Sequence, residues 1–71
     1  METDALKKLE KQVKRNKRIA SEQAMALHDL VEDQLPGAYR QLPEMAQATF
    51  EACQAWDEAR QALEAARAES A

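Results

Sequence analysis

The chain has 71 residues, a net charge of −3, one glycine, one cysteine and an aromatic content of 4%. A chain this short seldom supports a core alone, and one cysteine excludes an intramolecular disulfide, so stability has to come from self-association. So few turn-forming residues exclude a β-protein, whereas the abundance of Ala, Glu, Gln, Leu, Lys and Arg is typical of long helices.

The first predicted helix runs from about residue 4 to about residue 34. Apolar and small side chains recur along it at alternating intervals of three and four residues, which is the heptad seam of a coiled coil. Two polar residues, Asn16 and Gln23, interrupt the seam, and such residues either set the register or reach water at a frayed end. The first seam consists of Leu6, Leu9, Val13, Asn16, Ala20, Gln23, Leu27 and Leu30.

A run of basic residues occupies the outer positions of the first helix and never enters the seam. Three interpretations are open. The run binds phosphates, it is a solvated face, or it lies beside the acidic loop end of another copy. The run has no aromatic residue for base stacking, and residues 21–71 carry a net charge of −7, so nucleic-acid binding is the alternative hypothesis. The candidate nucleic-acid face is Lys7, Lys11, Lys14, Arg15 and Arg18.

The end of the first helix carries His28, Asp29, Glu32 and Asp33. The carboxylates lie at the negative end of the helix dipole, where they do not stabilise the helix. We interpret the four residues as a surface that contacts a partner; a solvated histidine with no special role is the other interpretation. His28 and Glu32 are also a weak candidate metal site, which would need ligands from a second chain because zinc usually takes three or four. No cofactor is expected.

A turn is predicted at residues 35–38, where Pro36 disfavours helix at Leu35 and Gly37 offers a positive φ. The second helix is predicted from about residue 39 to about residue 67, because the first turn of a helix tolerates Pro43. Its seam repeats the same intervals and consists of Met45, Thr49, Ala52, Trp56, Ala59, Leu63 and Ala66.

Further apolar residues widen the second seam on one side, among them Ala46, Phe50 and Cys53. We expect Phe50 and Trp56 to be core residues and Cys53 to be a buried thiol. A stripe this wide can touch more than one neighbour, and a short connection makes the helices antiparallel. The predicted fold is therefore all-α, a two-helix antiparallel hairpin that dimerises into a rod-like four-helix bundle.

The sequence also lacks the usual marks of catalysis and of membrane insertion. It has no Gly-rich phosphate loop, no CxxC pair and no recognisable Ser/His/Asp set, so we expect no enzyme. No apolar run approaches the ~18 residues of a membrane span, and the opening METDALKK has no apolar stretch behind its lysines. We therefore expect a cytoplasmic protein.

Around the turn the sequence reads Leu27-His28-Asp29-Leu30-Val31-Glu32-Asp33, then Leu35-Pro36, Tyr39 and Leu42-Pro43-Glu44. This segment resembles the Rop-like family of small bacterial proteins encoded in nitrogen-fixation operons. The resemblance implies a hairpin that forms a homodimeric rod shaped like the RNA-binding Rop protein. It also implies an accessory role in nitrogen fixation, with a nitrogenase-related protein as partner. RNA binding is not implied, because a shared shape does not carry function with it.

Overall fold

The computed structural model describes the backbone of residues 2–70 and the side chains of residues 4–69. Helix α1 spans Glu2–Asp29 and continues into one π-helical turn, Leu30–Gln34. A 3₁₀ turn, Tyr39–Gln41, leads into helix α2, Leu42–Ser70. Residues 2–70 contain no strand, and they form a rod of 53 × 14 × 13 Å. The predicted all-α hairpin is thus confirmed.

The chain reverses at residues 35–38. The amide of Leu35 donates to the Leu30 carbonyl at 3.1 Å and closes the π turn, and Leu35 itself is extended, with φ −83° and ψ 150°. An extended residue is expected immediately before Pro36. Pro43 lies within the first turn of α2, where the missing N–H breaks no helical hydrogen bond. The two prolines therefore separate the helices without interrupting either.

The two predicted seams face each other along the hairpin, but the hairpin buries them only in part. The side chains of both seams are buried or half-buried throughout. Among residues 4–69, only two are fully in the core, Leu30 at 0% exposure and Leu63 at 7%. A pair of helices covers each seam from one side only, which explains why the remaining seam residues keep solvent contact.

Two of the polar seam residues, Asn16 and Thr49, have identifiable hydrogen-bond partners. The Asn16 amide donates to the Ala55 carbonyl at 3.2 Å, across the hairpin, and the Asn16 Oδ1 accepts from Gln12 at 3.0 Å. The Thr49 hydroxyl donates to the Met45 carbonyl of its own helix at 2.8 Å. Asn16 therefore links the two helices at one register, whereas Thr49 satisfies its hydroxyl locally.

Three expectations are wrong for the single hairpin. Gly37 does not adopt a positive φ, because backbone bonds such as Ala38 N–H to the Gln34 carbonyl (2.9 Å) form the turn without it. Phe50 is 61% exposed rather than in the core. Cys53 is exposed rather than buried. Both side chains point away from the partner helix, because the widened part of the second stripe extends past the edge of α1.

Candidate functional site

One flank of the hairpin is fixed by an ion pair between the helices. Arg67 donates to the Glu10 carboxylate at 3.2 Å, and the two residues are 57 positions apart in the sequence. Residues seven positions apart lie on the same side of a helix, so stepping by heptads from this pair traces two facing columns. We name them together the Glu10 flank; the α1 column is Glu10, Lys17, Ala24 and Val31, and the α2 column is Arg67, Arg60, Cys53 and Ala46.

The Glu10 flank changes character along the rod. Near the chain ends it is charged, and Arg60 there donates to Asp57 at 2.7 Å and Glu64 at 2.8 Å while lying 5.4 Å from the Trp56 ring. The hydrogen bond that Arg60 donates to Asp57, together with the charge of Glu64, raises the pKa of Arg60, so the guanidinium stays charged. Toward the turn the flank becomes apolar. In its charged half both arginines are therefore paired with carboxylates, and its apolar half is exposed.

The opposite flank of each helix carries no charge over most of its length. We name it the alanine flank; its α1 column is Ala5, Gln12, Ile19 and Ala26, and its α2 column is Ala48, Ala55 and Ala62. Ile19 is 44% exposed, while Ala26 and Ala48 are half-buried. Small uncharged side chains allow another helix to approach closely without leaving a charge buried.

The loop-end patch comprises His28, Asp29, Glu32 and Asp33, and the structure brings its first three members together. His28 Nε2 lies 3.2 Å from the Glu32 carboxylate, and His28 Nδ1 lies 3.8 Å from that of Asp29. The side chains of His28, Asp29 and Glu32 are all about three-fifths exposed, at 58%, 61% and 62%. Asp33 is exposed as well, on the adjoining π turn, and π turns frequently occur at functional sites.

His28 and Glu32 offer a metal two ligands from one chain. Among residues 4–69, no group of three His, Cys, Asp or Glu side chains comes close enough to hold an ion. A metal site of ordinary composition would need ligands from outside this hairpin.

The predicted basic strip is exposed along its whole length. Lys7, Lys11, Lys14 and Arg18 follow one line along α1, and Arg15 lies beside it. Arg18 approaches Glu22 at 4.0 Å, a contact between two side chains that are each 71% exposed. The strip and the loop-end patch occupy opposite ends of α1, so charges of opposite sign are separated along the rod.

The residues of the two predicted seams face each other, while Phe50, Cys53, the loop-end patch and the basic strip lie on the surface. Sequence reasoning missed the distinction between the two flanks. The seven-residue columns are present in the sequence, but contacts across the hairpin are needed to show which of them approach the other helix. Glu10 and Arg67 join the Glu10 flank of the two helices, and the bond from Asn16 to Ala55 reaches the alanine flank of α2. Sequence reasoning also did not identify Phe50 and Cys53 as surface residues.

Comparison with known proteins gives one relationship. A family model described as Rop-like matches residues 4–68, which is nearly the whole chain. The chain matches no curated protein and no solved structure. Neither long helix in the described part of the chain has an apolar stretch sufficient for a bilayer crossing.

Proposed function

The chain belongs to the Rop-like family, and from that premise we propose that it is a non-catalytic interaction protein that works as a four-helix homodimer. The observation that carries the proposal is the half-buried state of both seams, in which Leu30 and Leu63 are the fully covered side chains of the described residues. A second hairpin placed against the seams would complete the core that one hairpin leaves open.

The alanine flank is the side on which the second copy packs. Each helix of a four-helix bundle has two neighbours, and near the chain ends the Glu10 flank already contacts the neighbour within the chain, through Glu10 and Arg67. The alanine flank is uncharged and therefore suited to the neighbour from the other copy. With the loops at opposite ends, the basic residues 1–20 of one copy, net +4, lie near the acidic loop end of the other.

A pair of matched variants tests this arrangement. Ile19→Lys places a charge on the alanine flank and should lower the dimer affinity by about tenfold or more, because a buried lysine has no partner there. Met25→Lys is the control, since Met25 is 61% exposed on the outward side of the same helix. Sedimentation equilibrium measures the dimer affinity of both variants. If both dimers dissociate to the same extent, or if neither dissociates, the alanine flank is not the dimer interface.

The loop-end patch is the proposed contact surface for a partner of the dimer, and the partner is proposed to be a nitrogenase-related protein in the cytoplasm. The exposure of His28, Asp29 and Glu32, and their unfavourable position at the end of α1, support a surface role. The nitrogen-fixation role is supported by the sequence resemblance around the turn.

The partner contact is tested with the double variant His28→Ala and Glu32→Ala. The variant should keep its helicity and its dimer mass but lose capture of nitrogenase-related proteins in a pull-down from nitrogen-fixing cells. Glu22→Ala, another exposed carboxylate of α1, is the control and should keep that capture. Undiminished capture by the double variant, combined with a weaker dimer, would make the patch structural.

Nucleic-acid binding through Lys7, Lys11, Lys14, Arg15 and Arg18 is the second candidate function. The exposed alignment of these side chains along one face of α1 favours it. A gel shift with total RNA distinguishes the candidates. Binding that falls steeply with salt and is lost in Lys11→Ala with Lys14→Ala supports the second function, whereas no shift at low salt leaves the protein-binding role.

A further inference from the structure

The side of α1 and its π turn that lies farthest from the seam is divided by charge into two halves. We name it the outward face; its heptad positions are all exposed. From residue 7 to residue 18 every outward position is basic, since these positions hold the basic strip and Lys8. From residue 21 to residue 32 they hold Glu22, Asp29 and Glu32 and no Lys or Arg. Each half is about 16 Å long at the rise of a helix.

Little of this charge is neutralised within the hairpin. At the boundary between the halves, Arg18 approaches Glu22 at 4.0 Å, and both side chains are 71% exposed. Within the described part of the chain, Arg18 is the only Lys or Arg of the outward face that lies within 4.0 Å of a carboxylate. The basic half and the acidic half therefore both remain available to opposite charges from another molecule.

The order of the charges determines which occupant fits the whole face. A nucleic acid fits the basic half but is repelled by the acidic half, and a uniformly basic protein meets the reverse situation. A partner fits both halves only if its charges run in the opposite order. A second copy of α1 laid antiparallel has that order, because its acidic half then lies along the basic half of the first.

The heptad spacing allows one register to serve several ion pairs. Lys8 and Arg15 are one heptad apart on the same edge of the outward face, and so are Glu22 and Asp29. An antiparallel copy that brings Lys8 opposite Asp29 therefore also brings Arg15 opposite Glu22. The contact has two-fold symmetry, so each pair occurs twice.

We propose that the outward face of α1 binds the outward face of another copy in antiparallel orientation, so that four-helix dimers associate side by side. The inference rests on the proposed dimer, whose contacts use the seams and the alanine flank and leave the outward face free. Asp29 and Glu32 also belong to the loop-end patch, so this contact covers the patch and competes with the partner of the dimer. Exposed charges hold the contact, which is therefore weak and sensitive to salt.

The salt dependence of the mass is the first test. Full-length protein treated with nuclease is sedimented at about 0.01 M and about 1 M salt, between which the Debye length falls from about 30 Å to about 3 Å. We expect the dimer at high salt and larger species at low salt. A mass that does not increase at low salt overturns the inference. So does a larger species that nuclease removes, because nucleic acid then joins the dimers.

Charge exchange is the second test and locates the contact. Lys8→Glu with Arg15→Glu should weaken the side-by-side association at low salt by about tenfold or more, because like charges then face each other. Glu22→Lys with Asp29→Lys should weaken it to a similar extent. An equimolar mixture of the two double variants should associate again, since one outward face is then wholly acidic and the other wholly basic. A mixture that stays dissociated overturns the inference.

The control is Glu51→Lys with Glu58→Lys. These two carboxylates are exposed on α2, one heptad apart, and their reversal changes the net charge by as much as Glu22→Lys with Asp29→Lys. The control should still form the larger species at low salt, and a loss equal to that of the α1 variant overturns the inference.

The inference and the proposed dimer fail in different ways. A mass of one chain at high salt contradicts the dimer, and the charge-exchange variants still decide whether outward faces bind each other. A dimer at high salt with no larger species at low salt keeps the proposed function and overturns the side-by-side contact.

Discussion

Individual residues at the turn and in the seams have separable roles. Leu30, with 0% exposure, is the most buried side chain of residues 4–69, and Asn16 supplies a hydrogen bond across the hairpin. Gly37, by contrast, supplies no special conformation, because its φ is not positive. Asn16 and Gly37 both interrupt the apolar pattern in the sequence, but we expect them to contribute differently to the free energy of unfolding.

Gly37→Ala should not destabilise the protein. A Cβ at this position would lie 3.7 Å from the Gln34 carbonyl oxygen, an ordinary contact distance. The substitution restricts the unfolded chain and should raise the free energy of unfolding by about 0.4–1 kcal/mol. Chemical denaturation measures it, and a loss of more than about 1 kcal/mol would show that the turn does need glycine.

Asn16→Val should raise stability while relaxing the register. Valine buries more apolar surface in the seam, a gain of about 1 kcal/mol for a half-buried site, but it loses the hydrogen bond to Ala55. Because a polar residue in a seam specifies alignment, the variant should sediment as a mixture of oligomers. A single species of lower stability would mean that Asn16 acts mainly through its hydrogen bond.

At the scale of the elements, the sequence predicted both helices and the seam of each, because heptad spacing and the two prolines are local signals. Gly37 shows the limit of such signals, since a glycine after a proline suggests a positive φ that the turn does not use. Phe50 and Cys53 show another, because the pattern gives the width of an apolar stripe but not which part the neighbouring helix covers. The pairing of flanks depends on a contact between residues 57 positions apart, which no local pattern encodes.

Truncating side chains in α1 and the π turn should distinguish residues that are buried within one hairpin from residues that only a second copy would bury. Leu30→Ala should cost about 2–5 kcal/mol, whereas Val31→Ala, at a neighbouring residue that is 51% exposed, should cost less than about 1 kcal/mol. Leu27 is only half-buried in the hairpin. If a second copy covers it, Leu27→Ala should cost about as much as Leu30→Ala. A clearly smaller loss in thermal or urea unfolding would indicate that Leu27 remains solvated.

The basic strip should be dispensable for folding. Lys11 and Lys14 are exposed, so the double change Lys11→Ala with Lys14→Ala should alter the free energy of unfolding by about 0.5 kcal/mol per site or less. Circular dichroism should give unchanged helicity. Loss of helicity would mean that the assigned heptad positions are wrong.

At the scale of the whole molecule, the rod is an incomplete structure. It is 53 Å long but only 14 Å and 13 Å across, and most of its seam residues keep contact with solvent. A second hairpin on the alanine flank would bury the seams and leave the loop-end patch exposed at both ends of the bundle. Dimerisation would then use the alanine flank and partner binding the loop-end patch, so that one does not compete with the other.

The concentration dependence of unfolding tests this account most directly. Each chain has a mass of 8.0 kDa, and we expect sedimentation equilibrium at micromolar concentration to give twice that mass. Because association stabilises the folded state by mass action, the thermal midpoint should rise with protein concentration. A folded species of 8.0 kDa with a midpoint independent of concentration would contradict the account.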